Sequence, residues 1–578
     1  MYLLGISAFL DDPAAALLCD GDIIAIGEEE RFIRVKHGVD CLKDKIVTTN
    51  ETRSNIENVE IRHFPIESID FCLKKAGIKL GELDFICVGF DLETILKDPA
   101  NYNSRFNVPR RYANRRIAAF SGYMSYLNKL AKRARAKLVF VRHHIAHTFG
   151  TLFGSDFRKS VILTMDGMGE LESTLLSCFN GDRLEMISNV ELPHSIGRVY
   201  SSLTDHLGFR ANYDEEKVMA MAGYGCDSYR KALKRLVKLA KLEYRIKPEY
   251  FWHKELGMGF ANESLLSTVF GPKRDESIDP LEGPYKDIAK SLQEMLFEVS
   301  NQLVNAGFQL TGYQNLCLSG GVALNCENNG RLFVENEWLK DIYVQPQAND
   351  AGVALGAAYY VYFQATGRRG ESQRHVYYGP SFSNEEIKSM LDRFRLKYHS
   401  VGDVCGEVSE KLSRGMVVGW FQGASEVGPR ALGNRSLLAS PLVKDVHKRI
   451  SAEIKNRELW RPYAVTILDE ARREYLDVDV YTPFMALSLP LNKLGRDKFT
   501  VAKHVNNTTR PQTLKRNINL LFYDLIKEFE RDCGIPALLN TSFNVRNEPI
   551  INTPKQAVID FITTGMDALV LGDHVLEK

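Results

Sequence analysis

No Cys-x-x-Cys pair occurs among the ten cysteines of this 578-residue chain. Several cysteines sit in apolar runs, as in Asp84-Phe85-Ile86-Cys87-Val88. They read as buried free thiols in a reducing compartment, which excludes a disulfide framework and a Cys-rich zinc site. No apolar run approaches the ~20 residues of a membrane span. The start, Met1-Tyr2-Leu3-Leu4-Gly5-Ile6, lacks a basic leader and meets Asp11-Asp12 at once, so it does not read as a signal peptide. The expectation is a cytoplasmic protein without a membrane partner. Net charge is almost missing too: 74 Lys+Arg against 73 Asp+Glu leaves +1. A protein that binds nucleic acid through bulk charge is far more basic. The basic region Arg105, Arg110, Arg111, Arg115, Arg116, Lys132, Arg133, Arg135 and Lys137 reads as a solvated helix surface, and no nucleic-acid partner is expected. Low-complexity sequence is absent.

What is present is ordinary globular composition, 44% hydrophobic and 25% charged, in a chain long enough for more than one core. Tyr2 to Ile6, Ala14 to Leu18 and Ile23 to Ile26 read as strands separated by Asp-rich turns. A similar plan returns at Val161 to Met165, Thr174 to Phe179 and Leu184 to Ile187, which predicts a duplicated α/β unit. Helical spacing marks Asp287 to Gly307 and Ala354 to Phe363. The polar, Gly-containing stretch Gln364 to Arg374 is the expected domain boundary, giving units 1–366 and 375–578. Beyond it, Asn384 to Phe394 and Pro554 to Thr563 read as helices, and Met416 to Phe421 and Ile535 to Leu539 as strands.

Three motif groups carry chemistry. Asp166-Gly167-Met168-Gly169 and Ser319-Gly320-Gly321 each follow a strand. Small residues let backbone N–H groups approach a phosphate, and an Asp can hold a hydrated Mg²⁺ there. In His143-His144-Ile145-Ala146-His147, His143 and His147 stand at i, i+4 on one helical face and can share a metal, with Asp350, expected at the end of a strand near a glycine turn, as candidate third ligand. The C-terminal half gathers Arg430, Arg435, Lys455, Arg457, Arg461 and Arg510 with Gly-rich turns and Asn540-Thr541-Ser542-Phe543-Asn544. Guanidinium and hydroxyl groups in tight turns suit phosphate or carboxylate anions.

Over nearly its whole length the chain resembles the NodU/CmcH family of O-carbamoyltransferases. The segments that carry the resemblance are Gly5-Ile6-Ser7 with Asp12-Pro13-Ala14-Ala15, Glu28 to Phe32, Lys36-His37-Gly38, the HHIAH run, DGMGE from Asp166, EEKVMAMAGYG from Glu215, SGGVALN from Ser319 to Asn325, NDAGVALGAA, EVGPRALGNRS from Glu426 and LLNTSFN. The resemblance implies an α/β chain in two parts: a duplicated actin-like ATPase/sugar-kinase fold, then a YrdC-like domain. It implies that carbamoyl phosphate and ATP, with Mg²⁺, give carbamoyl-adenylate in the C-terminal domain. The intermediate passes internally to the N-terminal domain, where a metal, iron foremost, helps transfer the carbamoyl group to an acceptor hydroxyl. By motif, His143, His147 and Asp350 are the metal ligands. Arg430, Lys455, Arg461, Arg510, Ser542 and Asn544 bind carbamoyl phosphate and ATP. Asp166, Gly167, Gly169, Ser319, Gly320, Gly321 and Asn325 form the N-terminal nucleotide segments. The acceptor is a hydroxylated small molecule of the sugar, aminocyclitol or macrolide kind, and a homodimer follows from base rates.

Two departures stand out. Family members commonly carry His-Asp where this chain has Asp11-Asp12, so either burial raises Asp11 and it serves as base for the acceptor hydroxyl, or Asp12 or Asp214 acts, or the acceptor is pre-activated. Asn547 replaces the usual Gly before Glu-Pro; Asn tolerates left-handed backbone. Residues 39–60 and 97–135 read as irregular or inserted segments able to line the acceptor pocket. Two competing readings remain at this stage: a small-molecule kinase, and a non-catalytic nucleotide- and metal-binding partner in tRNA modification.

Overall fold

The computed structural model describes residues 1–9, 11–38, 64–105, 110–252 and 261–578, apart from the side chains of residues 110–112 and 115. Residues 39–60, expected to line the acceptor pocket, lie outside the described residues. The chain divides into one unit of Met1–Asn328 with Glu335–Gln373, and a second of Asn329–Val334 with Arg374–Lys578.

The first unit repeats one plan. Strands β1 (Tyr2–Ser7), β2 (Ala14–Cys19), β3 (Asp22–Glu28), β4 (Phe85–Val88) and β5 (Lys137–Phe140) form a sheet in the order β3-β2-β1-β4-β5. The first three pair antiparallel, and β4 and β5 add in parallel. The hairpin between β2 and β3 turns at Asp20 and Gly21, both at positive φ, the geometry that favours Asp-Gly. Strands β6 (Ser160–Met165), β7 (Glu172–Phe179) and β8 (Leu184–Glu191) make the second meander. After a small hairpin of β9 (Val237–Ala240) and β10 (Glu243–Ile246), β11 (Asn315–Ser319) and β12 (Asp341–Val344) complete the order β12-β11-β6-β7-β8. Here too the meander is antiparallel and the later strands parallel. This is the expected duplicated α/β unit. The central strands β1, β6 and β11 are buried along almost their whole length, as parallel pairing between covered faces requires.

Two helices set the geometry of the site. Helix His143–Gly154 is buried from His143 to Gly154 except for Ile145. Helix Ala351–Thr366 packs against it through residues with almost no side chain. A Cβ at Gly356 would overlap the Ala146 carbonyl, so the two backbones touch directly.

Three expectations change. Helix Ala351–Thr366 runs through Gln364, ending where Gly367 turns left-handed (φ 69°), so the polar stretch becomes irregular only after that cap. Among the described residues of 97–135, expected to be irregular or inserted, Pro99–Ser104 and Arg110–Ala134 are helices, the former capped by the Asp98 carboxylate accepting from Asn101 N–H. Asp350 stands at the start of a helix and not at a strand end, since β12 stops at Val344.

The second unit holds β13 (His399–Ser400), β14 (Val418–Phe421), β15 (Arg435–Ala439), β16 (Ala464–Leu468), β17 (Leu489–Pro490), β18 (Thr508–Thr509), β19 (Pro511–Leu514), β20 (Ala537–Ser542), β21 (Ala568–Leu571) and β22 (His574–Glu577). All except β17 and β18, which pair together, form one mixed sheet in the order β13-β22-β21-β14-β15-β20-β16-β19. Asn547 adopts φ 64°, the left-handed conformation expected of it. All nine cysteines among the described residues are free, and six are buried. No helix among the described residues is long and apolar enough to cross a membrane.

Candidate functional site

In the first unit, one ligand atom from each of His143, His147, Asp166 and Asp350 lies within 4.8 Å of the others. His143 and His147 face the same way because they are one helical turn apart. Their Nε2 atoms are 3.1 Å apart. Asp166 Oδ2 lies 3.1 Å from His143 Nε2 and 3.4 Å from His147 Nε2. Asp350 Oδ1 lies 3.5 and 3.6 Å from the same two atoms.

The surrounding residues hold these donors in place. His143 Nδ1 is 3.2 Å from the Gly89 carbonyl, and His147 Nδ1 is 3.0 Å from Ser319 Oγ. Ser319 Oγ donates in turn to Gln345 Oε1 at 2.8 Å. Each ring thus presents Nε2 to the centre. Asp166 Oδ1 accepts from Gly167 N–H (2.7 Å) and Gly321 N–H (3.2 Å), leaving Oδ2 for the centre. The Glu170 carboxylate accepts from the His143 N–H at 2.9 Å and seats the helix start. Burial pushes Glu170 up to about 7.

Charge follows from the clustering. Burial opposes ionisation of Asp166, yet hydrogen bonds from His143 and His147 hold it well below the usual carboxylate range. Burial disfavours a charged His143, yet Asp350 and Asp166 raise it well above an ordinary imidazole. His144, on the other face, is driven well below by burial and by its two neighbours. Two imidazoles and two carboxylates converging in a buried space form a donor set that fits a divalent transition metal such as iron.

Asp166 therefore joins the donor centre, where the sequence pattern had assigned it to nucleotide phosphates. Ser319 has its hydroxyl committed to His147 and Gln345. Gly320, at φ 91°, makes the turn behind Met165, and Gly169 N–H donates to Glu172 O. Asn325 caps helix Cys326–Glu335 and exchanges amide hydrogen bonds with Gln293.

Of the three candidate bases, Asp11 feels the charge of Asp350. Enclosure first, then the charges of Asp12 and Asp350, push Asp11 up to about 7. Asp12 is paired with His37 Nδ1 at 2.8 Å, and Asp12 N–H donates to the His37 carbonyl. Both residues have positive φ. Burial works against a charged His37, but Asp12 outweighs it and raises the ring to about 9. Asp214 is paired with Lys217 at 3.0 Å. Its role as base is the least supported of the three by its surroundings.

In the second unit, strand order gathers the anion-binding candidates at one end of the sheet. Ser436 at the start of β15 pairs with Ser542 at the end of β20, and the start of β16 with Asn540. Val465 of β16 pairs with Pro511 of β19. Arg430, Arg461 and Arg510 precede β15, β16 and β19, so their segments enter the sheet at the end where Ser542 leaves it. Lys455, 5% exposed, donates to Ser542 Oγ (3.0 Å), Asn544 Oδ1 (2.5 Å) and the Ser542 carbonyl. Arg510 has a buried Nε without a hydrogen-bond partner, and burial with its charge drives His504 down to about 3.

Arg435 is different. It is fully buried. Its guanidinium donates to the carbonyls of Gln422, Asn434, Pro380 and Gly423 and lies 3.6 Å from the centroid of the Phe421 ring. The Glu426 carboxylate accepts from the N–H groups of Leu432, Asn434 and Arg435 and folds the intervening turn around itself. Sequence reasoning placed no role on Glu426, whose only signal was a carboxylate beside a Gly-Pro turn. Arg435→Met is expected to destabilise the second unit by about 3–5 kcal/mol, because four carbonyls lose a buried charged donor. An unchanged urea midpoint for that unit would contradict this.

The family model described as "Carbamoyltransferase N-terminus" matches residues 2–359, and that described as "Carbamoyltransferase C-terminus" matches 409–578. Protein sll1178 of Synechocystis is 36% identical over all of this chain and 97% of its own length. Nodulation protein NolNO of Sinorhizobium fredii is 31% identical, covering 99% of this chain and 80% of its own. The 3'-hydroxymethylcephem-O-carbamoyltransferase of Amycolatopsis lactamdurans is 31% identical over 54% of this chain and 58% of its own.

Proposed function

The chain belongs to the carbamoyltransferase family, enzymes that transfer carbamoyl groups, and from that premise we propose that it is an ATP-dependent O-carbamoyltransferase. In this reading carbamoyl phosphate and ATP, with Mg²⁺, form carbamoyl-adenylate and pyrophosphate in the second unit. The first unit then transfers the carbamoyl group to a hydroxyl of a small molecule such as a sugar, an aminocyclitol or a macrolide. The cephem enzyme, named for a hydroxymethyl acceptor, supports a hydroxyl as the target.

The observation that carries the reading is the match of both family models, one over each unit, to a chain with a different polar centre in each. Lys455, Ser542 and Asn544, with Arg430, Arg461 and Arg510, offset the repulsion between two highly anionic substrates. His143, His147, Asp166 and Asp350 would hold iron; when bound, the ion would act as a Lewis acid toward the carbamoyl carbonyl. Asp11 takes the proton of the acceptor hydroxyl, since its enclosed carboxyl, at about 7, is matched to neutral pH. Asp12, held by His37, keeps the adjoining turn in shape.

The test is pyrophosphate release from ATP, Mg²⁺ and carbamoyl phosphate without acceptor, in the wild type and in Arg430→Ala. Release that requires carbamoyl phosphate and falls at least about 10-fold in the variant is expected, the scale of one lost charged contact. Phosphate transfer independent of carbamoyl phosphate would instead support a kinase.

A further inference from the structure

The first unit contains a cation that the chemistry above leaves unused. Arg198 lies in the first turn of helix Ile196–His206. Ser195 Oγ donates to the carbonyls of Asp166 (3.1 Å) and Gly167 (2.8 Å), so the helix start is seated against the Asp166-Gly167 turn. The guanidinium consequently lies over that turn. A Cβ placed on Gly167 would stand 3.6 Å from Arg198 Nε and 3.7 Å from Cζ, and glycine leaves that space open. The charge of Arg198 also reaches Asp11, which it lowers.

A guanidinium has five N–H donors. Arg198 makes a hydrogen bond from one terminal nitrogen to Asn212 Oδ1, at a long 3.3 Å. Its Nε is buried without a hydrogen-bond partner. Among the described residues no carboxylate pairs with it, although Asp166 belongs to the turn beneath it. A buried donor is normally satisfied, and a planar fork with unspent donors is matched to a tetrahedral anion with two oxygens in reach. A hydroxylated acceptor can take single hydrogen bonds from such a fork, but it offers neither the negative charge nor the paired oxygens of a phosphate. An anionic phosphate brought near Asp11, Asp166 and Asp350 needs a local positive charge to offset theirs.

Resting on the carbamoyl-adenylate reading, we propose that Arg198 is a catalytic residue that binds the adenylate phosphate in the first unit and stabilises AMP as it leaves. The acceptor oxygen forms a bond to the carbamoyl carbon. The bond from that carbon to the phosphate oxygen breaks, its electron pair departs with AMP, and the acceptor proton goes to Asp11. Negative charge grows on the phosphate oxygen facing Arg198, so the contact strengthens toward the transition state.

The experiment titrates the metal-loaded full chain with AMP, and with adenosine as the probe lacking phosphate, in wild type, Arg198→Gln and Arg198→Lys. Arg198→Gln is expected to weaken AMP binding at one class of sites about 10- to 100-fold, with adenosine unaffected. Arg198→Lys, which keeps the charge but not the fork, is expected to fall between. Pyrophosphate release in the second unit stays at the wild-type rate in both variants. AMP affinity unchanged in Arg198→Gln overturns the assignment. So does an equal loss of AMP and adenosine affinity, the mark of a merely structural arginine. Absence of pyrophosphate release in the wild type would instead strike at the carbamoyl-adenylate reading, while the AMP-to-adenosine ratio still decides the role of Arg198.

Discussion

His147→Ala is expected to empty the four-donor centre. The variant removes a ligand and also leaves Ser319 Oγ, now 3.0 Å from the ring nitrogen, facing a void. Loss of an outer partner alone weakens metal binding about 10- to 100-fold, so loss of the ligand is expected to exceed 100-fold. Ser319→Ala supplies the comparison and should fall within that lower range. Metal content of the purified chain by elemental analysis is the direct readout. Pyrophosphate release is expected to continue in both variants, because Lys455 and its partners lie in the other unit. Full metal retention in His147→Ala would remove the centre from the proposal. Asp350→Asn is the companion variant: it keeps the shape but removes a negative charge, and should also lose the metal.

Lys455→Ala is expected to do the reverse. The Nζ contacts three oxygens at once, from Ser542 and Asn544. In the proposed reaction this enclosed ammonium would contribute about 10²–10³ in rate by offsetting substrate phosphate charge, on the scale of a single electrostatic stabiliser. Pyrophosphate release should drop by that factor while metal content is unchanged. Lys455→Arg is expected to rescue poorly, since a planar fork cannot replace a compact charge among three acceptors around a point. If Lys455→Ala released pyrophosphate at the wild-type rate, adenylate formation would have to be sought elsewhere. Together the two variants separate the units: one loses metal and keeps adenylation, the other keeps metal and loses adenylation.

Local spacing made part of the site readable before any coordinates. His143 and His147 are one turn apart, so their common face follows from helix geometry alone. The two meanders were legible because alternating turns and short apolar runs are local signals. Asp166 was not readable as a ligand. An Asp-Gly turn after a strand looks the same whether its carboxylate faces a phosphate or an imidazole, and the choice depends on packing against helix His143–Gly154. Arg430 and Arg435 were equally indistinct, separated by five residues in one motif. Only strand pairing shows that Arg435 opens β15 and is buried over Phe421. Glu426 and Arg198 escaped for the same reason: the partners of each were set by tertiary contacts and not by spacing.

The backbone contact at Gly356 bears on the spacing of the four donors proposed to hold a metal. The two histidines ride on one helix and Asp350 on the other, and these helices meet at Gly356 and Ala146 without side chains between them. Metal–ligand distances differ between candidate ions by only a few tenths of an ångström. A single added methyl at Gly356 would separate the helices by more than that. At the proposed metal site, the spacing of the donors would therefore be set partly by a residue outside the donor set, and a search for variants with altered metal preference would begin at that seam.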